Sequence, residues 1–222
     1  MDGKQARNTG CCSSLGLILD HGCDGFNMGC SVLTFVKLVQ CGDSIWTLLT
    51  VTTSGWGFYV STLEHFYIGS HFMGPGNMAS DGAVLVFLLF GSMGIFGNDY
   101  WTSYLIKSHE FTFSDAFNLI FTITGIINVA GYCLSIIKHS YKKIEPGEIT
   151  GHALHGGMFV IQVFGYTIPI VLTSALLFIG ESPLINQKQV EGDVSPFYIV
   201  MLTQLFLLGH MNFALIMRHV TK

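Results

Sequence analysis

"DGKQARNTGCCSSLGLILDHGCD", residues 2 to 24, decides how the rest of the chain is read. Its second half is apolar enough to enter a membrane, yet Asp20 and Asp24 lie inside it, four residues apart. On a helix that spacing stacks both carboxylates on one face, one turn apart. A carboxylate at the centre of a membrane helix costs about 2.5–3.5 kcal/mol, so the pair requires a shallow position, a cationic partner or a bound cation. Lys4 and Arg7 are the nearby cations. With Asp2, the two aspartates equally make an all-oxygen ligand set of the kind that suits Mg²⁺ or Mn²⁺. Simple hydration at the membrane boundary is a third account of the same spacing. Gly3, Ala6 and Gly16 offer positions with little or no side chain, where a backbone can approach a phosphate or a sugar. Arg7 can fork onto a pair of phosphate oxygens.

Working outward, the whole chain shares this apolar character. Its 222 residues are 50% hydrophobic and only 11% charged, and the mean hydropathy is +0.53. That composition excludes an ordinary soluble domain and predicts one integral membrane domain over 1–222. Six apolar stretches can be marked, at about 14–41, 45–67, 83–106, 113–137, 155–180 and 197–217, each long enough to span. Gly-, Pro- and charge-rich segments separate them. Because a lipid-exposed span must satisfy its own backbone amides, the expected fold is all-α, a polytopic membrane helical bundle of about six transmembrane helices. Under alternating topology Lys4, Arg7, Lys138, Lys142, Lys143, Arg218 and Lys222 fall on one side, against Lys107 and Lys188 on the other, with Lys37 in the first span. That bias assigns the first side, and the opening motif with it, to the cytosol.

Other features are less informative. The net charge of -4 is spread along the loops, and no basic stripe points to nucleic acid. The six cysteines show no paired CxxC spacing and read as small reduced hydrophobes. The polar start is unlike a cleavable signal peptide. His152, His155 and His210 share no ligand spacing, "VFLLF" at 86–90 reads as lipid-facing or packing surface, and Gly125, Gly131, Gly156 and Gly157 suit close helix packing.

Taken jointly, Asp2, Gly3, Ala6, Arg7, Gly16, Asp20 and Asp24 follow D-G-x-x-A-R, eight residues, G-x-x-x-D-x-x-x-D without a mismatch. This resembles the signature of the CDP-alcohol phosphotransferases, and "DGKQAR…SSLG…LDHGCD" is similar to the eukaryotic choline and ethanolamine phosphotransferases. "STLEHFYIG" at 61–69 and "GNDYWTS" at 97–103 look like later family segments. The resemblance implies transfer of phosphocholine or phosphoethanolamine from CDP-choline or CDP-ethanolamine to diacylglycerol, releasing CMP, in phospholipid biosynthesis. It implies that Asp2, Asp20 and Asp24 hold Mg²⁺ or Mn²⁺, that Gly3, Ala6, Arg7 and Gly16 receive the nucleotide, and that Asp24 takes the acceptor's proton. Glu64, His65 and His21 are further candidates for facing the acceptor or passing protons. The implied setting is the endoplasmic reticulum or Golgi membrane with the site toward the cytosol; oligomeric state, a homodimer included, stays open.

The pattern also departs from the family's. Relatives carry a further aspartate upstream, near the end of a preceding membrane helix, and continue through more spans after the position of "RHVTK". The expectation is therefore a chain shortened at both ends. Its alternative role is a catalytically impaired homologue acting as a membrane interaction partner. A small cation or metabolite transporter is favoured by nothing beyond the intramembrane carboxylates.

Overall fold

The computed structural model describes residues 8–11, 13–42, 44–68, 81–97, 99–109, 111–141, 156–165, 168 and 196–220. Its main helices are α1 (Ser14–Leu38), α2 (Ile45–Ile68), α3 (Asp81–Phe96), the single turn α4 (Asp99–Thr102), α5 (Phe113–Tyr141), α6 (Gly156–Gly165) and α7 (Pro196–Val220). A small antiparallel pair, β1 (Tyr104–Ile106) and β2 (Phe111–Thr112), lies between α4 and α5.

Helix α2 is the axis of the bundle. Buried residues occur on every side of it, from Thr47 and Leu48 to Phe66 and Tyr67. Many of them are hydroxyl residues, which enter an apolar interior by bonding their own helix. Thr53 donates to the Leu49 carbonyl at 2.6 Å, Ser54 to Thr50 at 2.7 Å and Thr62 to Phe58 at 3.1 Å. One core cluster joins Val32, Phe35, Val36 and Val39 of α1 to Leu48 and Val51 of α2 and Met201 of α7. A second joins Tyr59, Val60, Leu63, Phe66 and Tyr67 of α2 to Val129 and Ile136 of α5, Phe159 and Val163 of α6, and Leu208 and Leu215 of α7. Read along the helices, these contacts make α1 and α6 antiparallel to α2, whereas α5 and α7 run parallel to it. Trp56 Nε1 donates to the Val163 carbonyl at 3.0 Å, and the Tyr67 hydroxyl donates to Gln162 Oε1, tying α6 to the axis.

The α1–α2 turn is defined by backbone geometry. Cys41 N bonds the Val36 carbonyl at 3.3 Å and Gln40 N bonds Lys37 at 3.2 Å, the paired closure of a Schellman motif. Gln40 occupies the left-handed position at φ +56°. Across this turn Asn118 of α5 is fully buried. Its Nδ2 donates to Cys41 Sγ at 2.8 Å and to the Ser114 carbonyl at 2.7 Å, while its Oδ1 accepts from Thr50 Oγ1 at 2.6 Å. Ser114 Oγ donates to the Val39 carbonyl at 2.7 Å, satisfying an acceptor that the end of α1 leaves over.

Six spans are expected from the apolar stretches; among the described residues two helices are long and apolar enough to cross a membrane, within Phe113–His139 and Tyr198–Arg218. Helices α1 and α2 match them in length, but α1 carries Asp20, Asp24 and Lys37, and α2 carries Glu64 and its hydroxyl residues. The stretch at 83–106 is not one continuous helix. It stops at Phe96, where Gly97 takes φ +80° and closes on the Met93 carbonyl at 3.0 Å. The residues that follow form α4 and the hairpin, so the all-α expectation needs this small β element added. Helix α6 covers the start of the stretch at 155–180, most of whose remainder lies outside the described residues.

Candidate functional site

Ser13 caps α1: its hydroxyl accepts from Gly16 N at 3.0 Å. A side chain on Gly16 would bring a Cβ to 3.1 Å from that oxygen, so the cap itself favours glycine here. One turn further, Asp20 is exposed, and Asp24 follows on the same exposed edge of the helix. Between them His21 turns inward and is half-buried. Its ring lies 5.5 Å from that of His65 on α2, with the planes at 51°.

The two imidazoles border a small cleft where α1, α2 and α7 meet, lined also by Leu17, Thr62, Phe66, Leu215 and Ile216. Antiparallel packing of α1 on α2 makes this juxtaposition, since the first turns of α1 and the last turns of α2 come to one end of the bundle. Lys138 and Arg218 lie in the last turns of α5 and α7, which run toward the same end. Glu64, one residue before His65, takes a different direction. It is 1% exposed, within the core, and interacts electrostatically with Tyr132 of α5.

The described part of the site thus assembles Gly16, Asp20, His21 and His65 toward one end, with Asp24 one turn deeper along α1 beside Gly25, which faces Phe58 of α2, and Glu64 in the core. Asp2, Gly3, Ala6 and Arg7 lie outside the described residues, as do His152 and His155. Among the described residues no three His, Cys, Asp or Glu side chains come together to hold a metal ion. The donor chemistry of Asp20 and Asp24 nonetheless suits a hard divalent cation: both supply carboxylate oxygens, and their exposed position leaves room for water or phosphate oxygens as further ligands. The meeting of His21 with His65 is not apparent from sequence spacing. Only the antiparallel register of two helices creates it.

Comparison with known proteins finds relatives that match part of the chain. Over 105 residues it is 39% identical to an uncharacterized CDP-alcohol phosphatidyltransferase class-I family protein of Schizosaccharomyces pombe, covering 46% of this chain and 26% of that protein. A Dictyostelium discoideum protein of the same description is 30% identical over 142 residues, 64% of this chain and 32% of the relative. Choline/ethanolaminephosphotransferase 1 of Arabidopsis thaliana is 32% identical over 109 residues, 49% of this chain and 27% of the plant protein. The matched region therefore spans about a third or less of these relatives' length. No protein-family model matches the chain, and no solved structure does.

Proposed function

We propose, on the premise that this chain is a homologue of the CDP-alcohol phosphatidyltransferase class-I proteins, that it transfers phosphoethanolamine or phosphocholine from the matching CDP-alcohol to diacylglycerol and releases CMP. One observation carries the proposal: Gly16, Asp20 and Asp24 follow one side of α1 inward from the end of the bundle where His21 and His65 meet. Carboxylates in an exposed position beside a membrane helix can meet a soluble nucleotide ester without being dragged through lipid.

In this reading the cytidine end rests on the backbone around Gly3, Ala6 and Gly16, and Arg7 forks onto phosphate oxygens. Asp2, Asp20 and Asp24 would hold Mg²⁺ or Mn²⁺, which neutralises the diphosphate and the charge that grows on the departing phosphate. The acceptor's hydroxyl oxygen forms a bond to the phosphorus bearing the alcohol while the bond from that phosphorus to the bridging oxygen breaks. Asp24 accepts the hydroxyl proton, as a base within hydrogen-bond reach of that oxygen must. His21 and His65 border the path by which that proton leaves, and Glu64 supports the wall behind them. The site faces the cytosol in an endoplasmic reticulum or Golgi membrane, from which diacylglycerol enters sideways.

A six-span arrangement fits this reading. Parallel α2, α5 and α7 each require a return crossing between them, and α3 and α6 fall in those intervals. The count of basic residues in the sequence, Lys4, Arg7, Lys138, Lys142, Lys143, Arg218 and Lys222 against Lys107 and Lys188, supports a cytosolic site.

The test is direct. The purified chain in liposomes containing diacylglycerol is given labelled CDP-choline or CDP-ethanolamine with Mg²⁺ or Mn²⁺. Labelled phosphatidylcholine or phosphatidylethanolamine is expected. Folded protein that yields neither lipid above the protein-free blank overturns the proposal.

A further inference from the structure

Between α3 and α5 the chain doubles back through α4, β1, a 3₁₀ turn at Lys107–His109, and β2. Two strands this short have no core of their own and need outside support. Their inner side has it. The Tyr100 ring stacks on Phe113 at 4.7 Å, Trp101 meets Phe117 edge-on at 5.8 Å, and Phe111 meets Trp46 at 6.3 Å. Thr112 and Asp115 add a capping box: Thr112 N and Oγ1 donate to Asp115 Oδ2 at 2.9 and 2.7 Å, and Asp115 N donates back at 3.2 Å.

The outer side is unlike an ordinary loop. A regular strand alternates its side chains between two faces, but the register breaks between Tyr104 and Ile106. As a result Tyr104, Leu105 and Ile106 are consecutively exposed, at 54, 48 and 46%. Ile95, Phe96 and Tyr100 are also exposed nearby in the chain. In water, such an aromatic and aliphatic patch on a strand edge would invite aggregation.

Both stems of the patch identify what covers it. Strand β2 passes directly into α5, whose membrane-length apolar segment begins at Phe113, and the apolar part of α3 ends at Phe96. The patch is thus held at the edge of the hydrocarbon layer, the level at which tyrosine and tryptophan rings gather and a lysine stem can reach outward to headgroups. Lys107 is exposed beside it. We infer that the Tyr104–Ile106 hairpin is an interfacial anchor, resting in the phospholipid headgroup layer of the leaflet opposite the carboxylate site. The inference rests on the membrane reading of α5.

The anchor has a consequence for that site. Helix α5 has 29 residues and rises about 43 Å, more than the roughly 30 Å of a hydrocarbon core. Length alone leaves its depth undetermined. Fixing the Phe113 end makes the surplus emerge at the Lys138 end, toward which α1 and α2 carry Asp20 and the histidine pair.

The test places the photoreactive residue benzoylphenylalanine at Leu105 in the full chain, and separately at Ile127, a 65% exposed position midway along α5. Each protein is reconstituted in phospholipid nanodiscs, illuminated and mapped by tandem mass spectrometry. A mass shift of one phospholipid is expected at both positions, with the Leu105 adduct on the glycerol or upper acyl region and the Ile127 adduct deeper on the chain. A lipid adduct at Ile127, with none or only a chain-to-chain adduct at Leu105, overturns the anchor and leaves the spanning helix intact. Absence of lipid at Ile127 removes the membrane reading and the anchor with it.

Discussion

The two ends of the α1–α2 hairpin place polar side chains in opposite ways. At the turn end Thr50, Ser114 and Asn118 are buried, and each is engaged in hydrogen bonds that close on Cys41 and the Val39 carbonyl. Toward the open end Asp20 is exposed, with Asp24 exposed one turn deeper, and His21 and His65 face one another across a cleft. A buried polar group stabilises a fold only when its hydrogen bonds are made, whereas a group meant for a ligand must stay accessible until the ligand arrives. The turn end thus serves as a weld between α1, α2 and α5, and the open end is where we propose that the transfer takes place.

The strongest challenge to this division is Asp20→Asn. The substitution keeps size and helix position but removes a charge from an exposed residue. Transfer should fall roughly a hundredfold or more, equivalent to about 2.7 kcal/mol at the transition state. Thermal stability should move by no more than about 0.5 kcal/mol, as at other exposed sites. A large loss of stability with unchanged transfer per folded molecule would reverse the roles assigned to the two ends.

Asn118→Ala probes the other end. It strands the Thr50 hydroxyl and removes both bonds made by Nδ2, so a loss of about 2–3 kcal/mol is expected in denaturation. Transfer per folded molecule should be retained, because the cleft lies at the far end of α1. Thr50→Val, which deletes a single bond, should cost less than Asn118→Ala. Equal costs would mean that the amide acts only through Thr50.

The same contrast explains what was legible in the sequence. Asp20 and Asp24 share a helix, so their spacing alone places them on one side, and the apolar runs locate α1, α2, α5 and α7 closely. The encounter of His21 with His65 depends on how two helices register, and that of Asn118 with Cys41 and Thr50 on a third helix far along the chain. Neither is encoded in a local period. The stretch at 83–106 misleads for another reason: hydropathy averages over Gly97 and does not register a reversal of the chain. "TFSD" at 112–115 is a readable capping signal that marks the start of α5 independently of hydropathy.

The smallest effect concerns the turn on which the weld depends. Gln40 adopts φ +56°, a left-handed conformation that costs a residue with a Cβ about 1–2 kcal/mol. Glycine avoids that cost but returns about 0.4–1 kcal/mol through its greater freedom in the unfolded chain. Gln40→Gly should therefore stabilise the protein by about 0.5 kcal/mol net, a rise in melting temperature of roughly 1–2 °C for a chain of this size. Gln40→Ala, which keeps the Cβ, should give no such gain. If glycine instead lowers the melting temperature while alanine leaves it unchanged, backbone strain is not what limits this corner, and the rigidity of the turn end must come from the Asn118 bonds alone.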